Sequence, residues 1–394
     1  MATVKFINCR IITSTGIYPG EVLVRDGVIH RVVFGGTIDE ACEEVIDVQN
    51  KYLSPGFIDV HTHGAGGADF MDGSLEAIYQ SCRAHMEYGT TSIVPTTITS
   101  TKESLLSFVE LFNQVDLQRE DMPNILGLHL EGPYFAYEQR GAQDSKYLRN
   151  PTPEEYQEVL KRTDRILRWS FAVELEGADA FLEALRDHGI ISSLAHSDAS
   201  CEQVFRAYEN GISALTHFYS AMSGVKRVNA YRIAGAIEAG YLLDDLYVEV
   251  IADGKHLPKE LLQLIYKVKG ADRICLVTDS MRAASMPDGY YKLGNKDEGM
   301  DTVVEDGVAK LLDRTAFAGS TATADRLIRT MYELTAAPLH QVVKMMTLSP
   351  AKLLRIDDKK GSIAPGKDGD LVIFDDNIAV ELVMVKGRIM KNIL

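Results

Sequence analysis

Six residues of the types that hold a first-row metal ion stand at the ends of short apolar runs in this chain. The first run reads Phe57-Ile58-Asp59-Val60-His61-Thr62-His63, where two-residue alternation turns both imidazoles to one face of a strand. The others end on Leu128-His129-Leu130-Glu131, Ala195-His196, Thr216-His217 and Thr278-Asp279. With ten histidines in 394 residues, an H-x-H arises by chance in roughly one chain in four, so that pair alone decides nothing. The conjunction does. Imidazoles and carboxylates are good donors for Zn²⁺, with Fe or Mn as alternatives, and such a set with one position left open suits metal-assisted hydrolysis by one or two ions. His129 reads either as a hydrogen-bonded core residue or as support for the ligands. His30, His85, His188 and His340 read as surface or packing residues.

The elements that must position these residues follow from the hydrophobic pattern. Between about 53 and 355, short apolar runs alternate with amphipathic helical patterns, which predicts βα units on a parallel sheet. Eight runs end near His63, Pro95, Leu130, Leu175, Ala195, Thr216, Ile251 and Thr278, the number a (β/α)₈ TIM barrel requires. In that architecture chemistry sits at the C-terminal strand ends, where the six residues lie. Leu75, Ile78, Tyr79, Cys82 and Met86 predict one face of a helix, Ser200 to Gln203 a capping box, Asn210-Gly211 a helix stop, and Thr152-Pro153 a helix start. Both chain ends alternate β-branched runs with turns, such as Asp26-Gly27 before Val28-Ile29 and Leu371-Val372-Ile373-Phe374 near the C-terminus. The expected organisation is therefore α/β: a barrel over 53–355 and one small β-sandwich domain built from 1–52 and 356–394.

Composition narrows the partners. A net charge of −15 disfavours nucleic acid and anionic membranes, so the reading is a small-molecule site with neither partner. Five dispersed cysteines without a C-x-x-C, and an N-terminus without an apolar leader, point to reduced thiols and a cytoplasmic setting.

The motifs P-G-F-I-D-V-H-T-H-G (55–64), H-L-E-G-P (129–133), A-H-S-D-A (195–199), T-H-F-Y-S-A-M (216–222), I-A-D-G-K-H (251–256), V-T-D-S-M (277–281) and A-G-S (318–320) resemble the amidohydrolase superfamily. Within it they are similar to the N-acetylglucosamine-6-phosphate deacetylases. The resemblance implies a cytoplasmic homodimer that removes acetate from an amino-sugar phosphate. It implies that Glu131, His196 and His217 hold the main metal, with His61 and His63 completing a second position together with Glu131 and Asp279. Asp279 would move the proton from the attacking water to the leaving amine. No lysine closes the fourth run, Ala172-Val173-Glu174-Leu175-Glu176, so Glu131 stands as the bridge. His256, Gln143, Ser220 and Ala221 would face the substrate. Two departures keep the galactosamine epimer and other N-acyl substrates open: Ser220 replaces the usual asparagine, and the basic residue expected to reach phosphate across a dimer is displaced to Lys226, Arg227 or Arg232. A non-catalytic scaffold would have lost ligands, and this chain lacks none.

Overall fold

A computed structural model describes residues 3–394. Eight parallel strands carry the site: β1 (Phe57–Thr62), β2 (Thr90–Pro95), β3 (Leu128–Glu131), β4 (Ile166–Phe171), β5 (Ile191–Leu194), β6 (Ile212–Leu215), β7 (Tyr247–Val250) and β8 (Ile274–Leu276). Each successive pair from β3 to β8 is hydrogen-bonded in parallel, and β1 pairs in parallel with β2. The parallel strands curl, with helices packed along them. The strands are buried almost throughout, which is why they read as continuous apolar runs. Ile78, Phe108, Phe181, Leu185, Val204 and Ile328 bring the helices into the largest apolar cluster.

The helix signals hold where they rest on capping chemistry. Leu75–Met86 is a helix whose buried face includes Ile78, Tyr79, Cys82 and Met86, and Ser74 Oγ accepts from Ala77 N at its start. Ser200 and Gln203 make both bonds of the capping box that opens Cys201–Glu209, and Pro153 occupies the first turn of Pro153–Arg162. The fourth strand is shorter than its hydrophobicity predicts: it ends at Phe171 rather than near Leu175. Ala172 and Val173 are buried but already belong to a loop, in which Glu174 turns aside to accept from Ser197 Oγ at 2.7 Å. Hydrophobicity there reports burial, not strand.

The chain ends share one eight-stranded sheet. Ile17–Arg25 and Val28–Phe34 form the predicted hairpin, with Asp26 and Gly27 both at positive φ (51° and 81°) as its tight turn requires. Leu371–Phe374 pairs antiparallel with Tyr52–Pro55, which fastens the C-terminal strands beside the N-terminal ones. Three small antiparallel elements were not anticipated, the first of them pairing Gly64–Ala65 with Ala68–Asp69 just after β1. A three-stranded sheet (Gly289–Leu293, Met300–Glu305, Val308–Leu311) follows β8, and a hairpin pairs Lys226–Val228 with Tyr231–Ile233.

Candidate metal centre and active site

Past the ends of β5, β6 and β8 the chain turns sharply: His196, His217 and Asp279 all have positive φ, at 45°, 33° and 43°. For residues with a side chain this costs about 1–3 kcal/mol each and persists only where the surroundings impose it. Here it directs three side chains into one cavity of about 230 Å³. His63, Glu131 and Gln143 line the same cavity.

Two groups of donors result, Glu131/His196/His217 and His61/His63/Asp279, all of them buried. In the first, Glu131 Oε1 lies 3.0 Å from His217 Nε2 and 3.5 Å from His196 Nε2, and the two Nε2 atoms are 3.2 Å apart. In the second, the Nε2 atoms of His61 and His63 are 3.3 Å apart, and Asp279 Oδ1 is 3.1 Å from His63 Nε2 and 3.5 Å from His61 Nε2. Glu131 joins the groups, since Oε2 is 3.5 Å from His63 Nε2 and Oε1 3.6 Å from His61 Nε2.

The tautomers decide what this arrangement can bind. His196 Nδ1 sits 2.8 Å from Gln139 O and His217 Nδ1 3.1 Å from Ser220 O. A carbonyl only accepts, so these rings donate at Nδ1 and, in their neutral form, present lone pairs at Nε2. His61 Nδ1 likewise faces a carboxylate, Glu249 Oε2, at 3.0 Å. Lone pairs and carboxylate oxygens thus converge on the same space, an arrangement that a divalent cation neutralises and that fits a metal centre with N and O ligands. The electrostatics agree. Burial alone would lower the pKa of His63 and of His217, yet Asp279 and Glu131 beside the first and Glu131 beside the second lift both to about 9. The carboxyls of Glu131 and Asp279, which burial would raise, are instead held below their usual range by the surrounding imidazoles. A field that holds protons on imidazoles is one in which a dication displaces them.

Around this centre the other expected residues divide. Gln143 is buried and donates to Glu131 Oε2 at 2.9 Å while accepting from Thr99 N at 3.1 Å, so it braces the bridging carboxylate as well as lining the cavity. Ser220, Ala221 and His256 line it too. His256 is oriented by Asp253, 2.8 Å from its Nδ1, and by the Phe317 ring at 4.7 Å. Lys226, Arg227 and Arg232 do not reach the cavity of their own chain. They lie on the exposed hairpin, which turns through Asn229 and Ala230 at positive φ, and Lys226 pairs with Asp198. Among the described residues no lysine or arginine lines the cavity.

Three buried polar residues, Asp59, Arg168 and Glu249, escaped the reading of strand ends. Asp59 accepts from Thr278 Oγ1 at 2.6 Å and so ties β1 to the segment after β8. Arg168 on β4 pairs with Glu249 on β7, and both are fully buried. Removing one member of such a pair costs about 3–5 kcal/mol. His129 settles as a core residue, with Thr96 Oγ1 at 3.2 Å on one ring nitrogen and Ser170 Oγ at 2.7 Å on the other. His85 is packed and buried as read, with Thr62 Oγ1 2.9 Å from its Nε2. A signal existed for Asp59 and Glu249: each is an acid in the middle of a β-branched run, Ile-Asp-Val and Val-Glu-Val.

A family model for the amidohydrolase family matches residues 52–390. The chain belongs to the amidohydrolase family. This amidohydrolase is 32% identical to an N-acetylglucosamine-6-phosphate deacetylase of Lysinibacillus sphaericus over 94% of its own length and 92% of that protein. It is 29% identical to an N-acetylgalactosamine-6-phosphate deacetylase of Escherichia coli O157:H7, over 96% and 97%. Its fold matches a mutant N-acetyl-D-glucosamine-6-phosphate deacetylase from Mycobacterium smegmatis, solved in complex with N-acetyl-D-glucosamine-6-phosphate, at a TM-score of 0.91 and 27% identity over the whole of both chains. The resemblance in the motifs thus extends through the fold.

Proposed function

We propose that the chain is an N-acetylglucosamine-6-phosphate deacetylase, which hydrolyses the acetamide to acetate and glucosamine 6-phosphate in amino-sugar catabolism and cell-wall recycling. The observation that carries this is the convergence of Glu131, His196 and His217 with Asp279 on one cavity. Glu131, His196 and His217 would hold a divalent ion, zinc fitting the donors best, and His61, His63 and Asp279 a second. When bound, such an ion supplies Lewis acidity toward the acetyl carbonyl and a water nucleophile at neutral pH.

The chain's own groups do the rest. Asp279, kept ionised by its imidazole neighbours, takes the proton from water and returns it to the leaving amine. Gln143 holds Glu131 in place. His256, Ser220 and Ala221 face the sugar. A cavity without its own lysine or arginine supports a homodimer in which the partner's hairpin brings a basic residue to the phosphate. Tyr231, 78% exposed on that hairpin, supplies apolar area for the contact.

The finer architecture rests on similar support. The parallel bridge between Thr96 and His129 and the bond from Asp279 N to His61 O, at 2.9 Å, link the arcs of strands and support a closed (β/α)₈ barrel over 53–355. Val4–Ile12 pairs in parallel first with Glu44–Asp47 and then with Tyr52–Pro55, and its register with Ile17–Arg25 breaks between Phe6 and Cys9; this change of partner along one strand supports a small β-sandwich from 1–52 and 356–394. No helix among the described residues is long and apolar enough to cross a membrane, compatible with a cytoplasmic enzyme.

Ser220 favours one second reading, deacetylation of the galactosamine epimer. Acetate release across both N-acetylhexosamines and both 6-phosphates separates the two: the first reading expects the glucosamine phosphate to have the highest kcat/KM. Equal efficiency with and without phosphate would overturn the phosphate assignment.

A further inference from the structure

Glu249 and Arg168 stand behind the metal positions rather than in the cavity, and the reaction uses neither directly. Glu249 lies on β7 and Arg168 on β4, and both are shut off from solvent. The carboxylate is divided: Oε2 faces His61 Nδ1 at 3.0 Å, and Oε1 takes Arg168 Nη2. Arg168 also donates through Nη1 to Val60 O at 2.9 Å. One guanidinium therefore grips both the carboxylate behind His61 and the peptide immediately before it.

The other rings are held differently. His196 and His217 lean on backbone carbonyls of their own loops, which are neutral acceptors. His63 Nδ1 has no partner among the described residues. Of the four rings, only His61 is backed by a carboxylate, and a carboxylate both fixes the ring tautomer and makes Nε2 a stronger donor to a metal.

We propose that Glu249, clamped by Arg168, is a positioning residue that fixes the tautomer and orientation of His61 and thereby sets the affinity of the second metal position, apart from the first. This rests on the two-position reading above. Glu249→Gln reverses the tautomer with little change in volume. Arg168 still requires an acceptor, so the amide oxygen stays on Arg168 and the amide NH₂ turns to His61 Nδ1. The ring must then accept at Nδ1 and carry its proton on Nε2, where it cannot ligate.

The test uses the full chain stripped of metal, titrated with Zn²⁺ against a chromophoric chelator, with elemental analysis after dialysis and a melt of the metal-free protein. The wild type is expected to take two ions per chain. E249Q is expected to keep one at wild-type affinity and to bind the other about 10- to 100-fold more weakly, with a metal-free melt lowered because Arg168 loses its buried counter-charge. Two ions at wild-type affinities in E249Q would overturn the assignment. So would equal weakening of both positions, the mark of a merely structural pair. A wild type that takes one ion would overturn the two-position reading itself, and this assignment with it. Should E249Q fail to fold, the double variant Glu249→Leu with Arg168→Met removes both buried charges together. Selective loss of the second ion there supports the proposal, and retention of both at wild-type affinity overturns it.

Discussion

The ligand cluster around Glu131 and the hairpin from Lys226 to Ile233 differ in how firmly the chain holds them. In the cluster, buried side chains come from the ends of five strands, and hydrogen bonds from behind fix three of its rings. The hairpin is exposed along both strands. The contrast separates two tasks. Bond breaking needs donors fixed within fractions of an ångström, which only packed strand ends supply. Recognition of a phosphate needs a cation, and the basic residues proposed for that task stand on an element exposed along both strands.

Three substitutions sharpen or break that contrast. Asp279→Asn, in the cluster, is expected to lower kcat for acetate release by about 10²–10⁴-fold, the range of a lost acid/base group. Elemental analysis should still find the ion held by Glu131, His196 and His217, and a near-normal rate would remove Asp279 from its role. Arg227→Ala, on the hairpin, is expected to raise KM for the 6-phosphate substrate by about 10- to 100-fold, the worth of one charge-assisted hydrogen bond. It should leave turnover of the unphosphorylated sugar unaltered, and the same shift with both substrates would place the hairpin's effect in the chemistry. Lys226→Ala should do least. Its pairing with Asp198 is solvent-exposed and contributes about 0.2–1 kcal/mol, so the melting temperature should fall by no more than about 2 °C. A larger fall would mean that the hairpin is anchored as firmly as the cluster.

Much of the site was legible because ligand residues end apolar runs. His61 and His63 share a strand face, and Glu131, His196, His217 and Asp279 each follow buried aliphatic residues. Residues inside the runs were harder to read. Asp59 and Glu249 are acids whose partners, Thr278 and Arg168, are 219 and 81 residues away in sequence. The fourth strand stops a few residues short of its apolar run because Ala172 and Val173 are buried in a loop, and burial alone does not separate a loop from a strand.

The sequence by itself determined which side chains could bind a metal and that each would stand where a strand ends, because alternation and capping are local and act over a few residues. Only the tertiary structure decided that Glu131 lies between two groups of donors, that a buried Arg168–Glu249 pair backs His61 alone, and that Lys226, Arg227 and Arg232 fall outside their own cavity. Those are outcomes of how distant segments pack, and neither strand periodicity nor charge content specifies which side chains will meet.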